Sequence, residues 1–279
     1  MEIRTDKMNY NKIDIEPNLV LEDLVGYISK NGVQRSIKPI YKTDDFALYN
    51  DDSLEVMSRF PDNYVDMIFA DPPYMLSNDG FTCQNGRMVS VNKGKWDKSK
   101  GFDEDLEFHE TWLKECKRIL KPEGTIWVSG TYHSIYQCGF LLQKLNYHLL
   151  NDITWFKPNA SPNLSCRFFT ASHETVLWAR KDKKAKHHFD YEAMKNGRFP
   201  EDNIKKPDLQ MRSVWSIPTP APSEKQFGKH PTQKPLALLK PNSWDVLLRV
   251  SLSATYPRCF ATLHCGLSTS IPHAIREAA

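Results

Sequence analysis

The sequence predicts an α/β protein built on a mostly parallel sheet with helices on both faces. Three observations carry that expectation. Short apolar runs rich in β-branched and aromatic residues alternate with longer stretches of helical periodicity. The 279-residue chain is 40% hydrophobic and 25% charged, which suits one sizeable core. Finally, the run Val65-Asp66-Met67-Ile68-Phe69-Ala70 ends abruptly in Asp71-Pro72-Pro73-Tyr74. Two prolines stop a strand at once, and the carboxyl end of a strand in an open α/β sheet is where ligands bind.

Taken in order, residues 1–40 form an N-terminal extension in which Leu19, Val20, Leu21, Leu24, Val25 and Ile28 recur at helical spacing. Residues 41–156 form the catalytic α/β region. It opens with "FALYNDDSLEVMSRF", a strand, an Asn-Asp turn and an amphipathic helix that Asp51, Asp52 or Ser53 can cap. Asn50 tolerates the positive φ such a turn can require. Residues 75–102 are too long for an ordinary connection and carry Lys93, Lys95, Lys98 and Lys100, which suit either phosphates or plain solvation. A helix from Leu106 to Leu120 is ended by Pro122-Glu123-Gly124, and Thr125 to Ser129 supplies the next strand. A further helix leads to a strand over Asp152 to Phe156. From 157 to 228 seven prolines (158, 162, 200, 207, 218, 220, 222) break the pattern, which reads as a loop-rich insertion. It carries a basic run from Arg180 to His188, and Arg167 beside Phe168 and Phe169. Residues 229–240 contain His230-Pro231-Thr232-Gln233-Lys234-Pro235, the start of a helix, and 241–279 form a tail that opens on Pro241.

Composition excludes several classes. A net charge of +3 is too mild for a global nucleic-acid field, so any nucleic-acid binding has to come from local patches. Six cysteines without a C-x-x-C pair, an N-terminus without an apolar core, and no long apolar run point to a reduced cytoplasmic protein with no membrane span and no structural zinc. His187-His188 lacks further ligands at metal spacing.

The chemistry concentrates at Asp71 to Tyr74. An exocyclic amino group on a nucleobase is a poor nucleophile because its lone pair is delocalised into the ring. Hydrogen bonds from that amine to the Asp71 carboxylate and the Pro72 carbonyl favour a pyramidal nitrogen, and Pro72-Pro73 hold the carbonyl still. The Tyr74 ring suits stacking on an extruded base. "NYVDMIFADPPY", "SPNLSCRFFTASHETVLWARK" and "GKHPTQKP" together resemble the β group of amino-group DNA methyltransferases that use S-adenosylmethionine. The wording is similar to the adenine-N6 enzymes of DpnII-type restriction-modification systems, which modify GATC. That resemblance implies a Rossmann-like methyltransferase sheet with a target-recognition insertion over 157–228. It implies catalysis by Asp71, Pro72, Pro73 and Tyr74, and cofactor contacts from Asp51, His230, Thr232 and Lys234. It further implies DNA contacts from Lys93, Lys95, Trp96 and Lys98 before the insertion and from Lys157 and Arg167 in it, with homodimerisation expected by analogy.

The resemblance runs from about Ile40 to Leu239 and stops. The family continues into an apolar strand ending in D-P-F-x-G-x-G, and this chain has no such sequence; Gly266 is the only glycine after Leu239. The expectation is therefore a C-terminally incomplete fold whose tail packs poorly, produced by a frameshift, a truncated pseudogene or a cloning junction. A catalytically inactive remnant that binds DNA only is the alternative to an active methyltransferase.

Overall fold

The computed structural model describes residues 38–42, 46–77, 81–84, 87–90, 97–197, 199–202, 206, 208–225, 232–239, 250–255 and 259–265. The helix expected within residues 1–40 lies outside them. The strands are β1 (Tyr41–Lys42), β2 (Phe46–Asp51), β3 (Val65–Asp71), β4 (Phe81–Gln84), β5 (Arg87–Ser90), β6 (Leu120–Gly130), β7 (His148–Phe156), β8 (His173–Arg180), β9 (Val214–Ser216), β10 (Val250–Thr255) and β11 (Cys259–Cys265). Among the described residues the α-helices are α1 (Ser53–Met57), α2 (Phe102–Ile119), α3 (Ile135–Lys144) and α4 (Tyr191–Asn196).

Nine strands form one sheet in the order β1-β2-β11-β10-β3-β6-β8-β7-β9, while β4 and β5 pair as a separate hairpin inside the stretch expected to be all loop. The large sheet is mixed rather than mostly parallel. β3 runs parallel to β10 and β6, and β7 parallel to β9, whereas β8 lies antiparallel between β6 and β7. β8 is the element the prolines concealed: they flank His173–Arg180 without entering it, and "ETVLWA" is buried along most of its length. The 157–228 region therefore contributes an inner strand as well as loops. The tail also departs from expectation. Val250–Thr255 pairs with β3 through five registered residues, and Cys259–Cys265 pairs with β2 through six, so backbone from 250–255 and from 259–265 sits inside the sheet. A backbone ladder needs only extended segments with N–H and C=O groups to offer, which any sequence with strand propensity supplies.

β3 follows its apolar text and is buried on both faces. Against it pack Trp127 and Trp178, paired across β6 and β8 with ring centroids 4.7 Å apart, and Trp155, whose indole N–H donates to the Ile217 carbonyl at 2.7 Å. α1 is capped by Asp52, whose carboxylate accepts from the N–H groups of Leu54 and Glu55. Asn50 is extended within β2 and keeps negative φ. α2 begins at Phe102, ahead of the expected Leu106, because Gly101 at φ 115° sets the turn and Asp103, Glu104 and Asp105 suit a helix N-terminus.

His109 on α2 is fully buried, and its Nδ1 accepts from the Trp112 indole N–H at 3.1 Å. Burial lowers its pKa from 6.5 to about 4, with Asp105 opposing. The unfolded chain thus takes up this proton near pH 6.5 and the folded chain only near pH 4, so stability falls as pH drops through that window and is fully present above it. The expected loss is on the order of 2–3 kcal/mol between pH 7 and pH 4.5. Urea midpoints across this range should slope downward in the wild type and flatten in His109→Gln; equal slopes would put the proton uptake elsewhere.

Candidate functional site

One edge of the sheet collects the polar groups. Parallel pairing puts Asp71, the last residue of β3, beside Ser129 near the end of β6, because Ala70 registers with Val128. Antiparallel β8 begins at the same edge, since Gly130 registers with Thr175, which places Glu174 there. β7 ends there too, and Lys157 follows it. Asp51 closes β2 at this edge, opposite Cys259.

The side chains form a closed network. Asp71 Oδ1 accepts from the Ser129 hydroxyl at 2.6 Å, the Tyr74 hydroxyl at 2.8 Å and the Lys234 ammonium at 2.9 Å. Among the described residues none donates to Oδ2. The Tyr74 hydroxyl also lies 2.9 Å from Glu174 Oε2 and accepts from Lys234 at 2.7 Å. Lys234 reaches Glu174 Oε2 at 3.5 Å, and Lys157 pairs with Glu174 Oε1. Asp71, Tyr74, Ser129 and Glu174 are all buried. Two carboxylates and two ammoniums therefore balance in a water-poor site, the condition under which buried charge is tolerated.

Protonation follows from this arrangement. Burial pushes the Tyr74 phenol well above its ordinary value, reinforced by the Asp71 and Glu174 charges, so Tyr74 stays a donor. Burial alone would raise the Glu174 carboxyl, but Lys234 and Lys157 outweigh it and hold it low. Burial likewise works against the Lys234 ammonium, and Asp71 with Glu174 more than restores it.

The backbone that carries these groups is held from below. Met75 adopts φ 55°, a left-handed conformation uncommon for a residue with a side chain. The Asp97 carboxylate spans it, accepting the N–H of Tyr74 at 3.1 Å and of Leu76 at 3.2 Å, and also the Ser77 hydroxyl at 2.9 Å. Asp97 is 1% exposed, which makes each of these bonds costly to lose.

The structure brings together Asp71, Pro72, Pro73, Tyr74, Lys157 and Lys234. The Tyr74 ring, expected to face a stacked base, is buried, with the Lys234 ammonium 4.6 Å from its centroid. Lys157, expected on DNA, is turned inward onto Glu174 and over the Trp155 ring at 4.6 Å. Lys98 and Arg167 are exposed. Asp51 is half-buried and its carboxylate accepts the neighbouring Asp52 N–H at 2.9 Å. Thr232 is half-buried; Lys93, Lys95, Trp96 and His230 lie outside the described residues. The expected helix after Pro235 is a single 3-10 turn, Leu236–Leu239, whose first N–H is taken by Glu224 at 2.7 Å. Ser129, Glu174 and Asp97 had no assigned role in the sequence reading. A small polar residue ending one strand beside a motif strand, and an acid opening an otherwise apolar strand, were the available signals. A cavity of about 300 Å³ lined by Trp127, Trp178, Trp215 and Arg212 lies over the middle of the sheet, away from this edge.

Among the described residues no group of three or more His, Cys, Asp or Glu side chains is arranged to hold a metal, and no helix is long and apolar enough to cross a membrane.

The fold is that of DNA methyltransferases. The solved PvuII DNA methyltransferase (cytosine-N4-specific) superposes with a TM-score of 0.51 at 19% identity, over 72% of this chain and 70% of that one. A DNA methylase family model matches residues 65–242, and the chain belongs to that family, the N6/N4 DNA methylases. It is 46% identical over 223 residues to the Type II methyltransferase M2.MboI of Moraxella bovis, covering 78% of this chain and 75% of that enzyme. To the Type II methyltransferase M2.DpnII of Streptococcus pneumoniae it is 48% identical over 204 residues, covering 73% of each.

Proposed function

We propose that the chain methylates the N6 amino group of adenine in a GATC-like DNA site as part of a restriction-modification system. The observation that carries this is the asymmetry of Asp71, with one carboxylate oxygen held by three donors and the other left to accept from an incoming amine. A carboxylate pinned in this way needs no reorganisation when charge develops on the amine nitrogen. Asp71 in place of Ser, together with the DpnII-like wording, supports adenine over cytosine.

The methyl donor is S-adenosylmethionine, whose sulfonium supplies an activated methyl group. Asp51 suits its adenosine end, because the carboxylate closes β2 at the catalytic edge and, among the described residues, is engaged only by a neighbouring N–H. Lys234 has its charge already shared between Asp71 and Glu174, so it fits a donor carboxylate only as a third partner. Asp71 Oδ2 and the Pro72 carbonyl accept the two amine hydrogens, and burial of the network excludes water. Tyr74 keeps its hydroxyl on the carboxylates, and its ring becomes available to a base once Lys234 moves off it. Glu174 is the carboxylate on which Lys234 remains held.

The test is calorimetric titration of the full chain with S-adenosylmethionine, followed by transfer to duplexes with and without GATC and mass analysis of the nucleosides. Binding with N6-methyladenine confined to GATC is expected. N4-methylcytosine, or binding without transfer to any DNA, overturns the reading.

A further inference from the structure

The loop between β7 and β8, close in sequence to the site, carries two strongly exposed aromatics. Phe168 is 67% exposed and Phe169 is 95% exposed, with Arg167 exposed beside them. This is not a slack excursion. Its feet are joined by the Lys157 N–H donating to the Ser172 carbonyl at 2.7 Å. Asn159 and Thr219 bond reciprocally at 3.0 and 2.9 Å, fixing one foot to the neighbouring segment. Within the tip, Asn163 donates to the Phe168 carbonyl at 2.6 Å and accepts from the N–H and hydroxyl of Ser165 at 3.0 and 2.8 Å. Cys166 takes φ 54° to make the turn.

A braced tip that holds two phenyl rings in water needs a partner that rewards them. Its location says which. Glu174, bonded to Tyr74 in the catalytic network, follows Phe169 by five positions, so the ring lies within about 17 Å of chain length from that network. Drawing an adenine out of the duplex to reach Asp71 leaves a gap in the stack at about this distance, and apolar wedges are what fill such gaps. Base-on-aromatic stacking is worth about 5- to 150-fold per base, and an adjacent guanidinium suits the flanking phosphate.

We propose that Phe169, with Phe168 beside it, is the wedge that enters the DNA stack where the target adenine leaves it, and that Arg167 anchors the tip on the neighbouring phosphate. This rests on the reading of the chain as a base-extruding methyltransferase. Phe168 and Phe169 are then positioning residues, since they act on the duplex and not on the reacting amine.

The test places 2-aminopurine at the target adenine of a GATC duplex and compares full-length wild type with F169A and F168A/F169A. Wild type should give a fluorescence rise on binding, and the double variant at most one-fifth of that amplitude, with an unchanged thermal midpoint because both rings are exposed. Methyl transfer by the double variant should fall at least tenfold on paired DNA and return to within threefold of wild type when the target is mismatched and extrusion is already easy. Wild-type amplitude in the double variant, or an equal loss on paired and mismatched DNA, overturns the wedge. Conversion of a sedimenting dimer to monomer by the double substitution, with extrusion intact, assigns the tip to a second copy instead. Fluorescence from wild type without methyl transfer to any DNA would sink the methyltransferase reading while leaving the wedge standing.

Discussion

Asp71→Asn should lose at least a thousandfold in the rate of methyl transfer while remaining folded. An asparagine oriented with its oxygen at Oδ1 still accepts from Ser129, Tyr74 and Lys234, so the network keeps its partners, while the lost charge leaves two ammoniums on Glu174 and should lower stability by about 2–4 kcal/mol. What it then presents at the Oδ2 position is an NH₂ group, which donates and cannot accept from an amine. Loss of a preorganised charge partner typically removes on the order of 3–4 kcal/mol of transition-state stabilisation, and here the acceptor is also replaced by a repelling donor. Asp71→Ala is the blunter variant. It leaves buried donors without their shared acceptor and should also cost about 1–3 kcal/mol of stability. Single-turnover transfer to a GATC duplex, with DNA affinity measured in parallel, separates chemistry from binding. Asp71→Asn transferring within threefold of wild type would remove this carboxylate from the mechanism.

Glu174→Gln should lower kcat about 10- to 100-fold with little change in DNA affinity. Without the Glu174 charge, Lys234, already 2.9 Å from Asp71 Oδ1, keeps Asp71 as its remaining carboxylate and shifts towards Oδ2, into the space the target amine needs. Lys157 loses its partner in the same step. Two ammoniums facing one carboxylate in a buried site is an unbalanced charge, so stability should also fall by about 2–4 kcal/mol. Adding Lys157→Met to Glu174→Gln restores the balance and should recover most of the thermal midpoint but little of kcat, because Lys234 still lacks its second carboxylate. A double variant recovering kcat in full would mean that Glu174 serves only to neutralise Lys157.

The position of Asp71 was legible in the text because an apolar run and two prolines are local signals, and the family wording extended that reading to the whole 71–74 turn. The pairing of charges was not. Lys157 and Lys234 lie 77 positions apart in the sequence, and nothing local indicates that both converge on Glu174. Once β8 is inserted between β6 and β7, register brings Glu174 beside the end of β7 and so to Lys157, while Lys234 arrives from outside the sheet. The same omission made the sheet look mostly parallel: a strand hidden among prolines is lost to periodicity, and with it goes the acid at its head. The 250–265 strands were missed for a different reason. Attention to the absent glycine motif said what the tail could not bind, which is a separate question from whether its backbone can join a ladder.

Asp97 has a consequence for how this protein tolerates change. It closes the excursion 78–96 at its root, since the Ser77 N–H meets the Asp97 carbonyl at 3.0 Å while the same residue's carboxylate clamps the turn bearing Tyr74. These bonds join the two ends of the intervening span, and lengthening a closed loop costs only logarithmically. We propose that the span between Ser77 and Asp97 tolerates replacement. Segments of different length and charge grafted between Ser77 and Asp97 should leave the Asp71 carboxylate where it is.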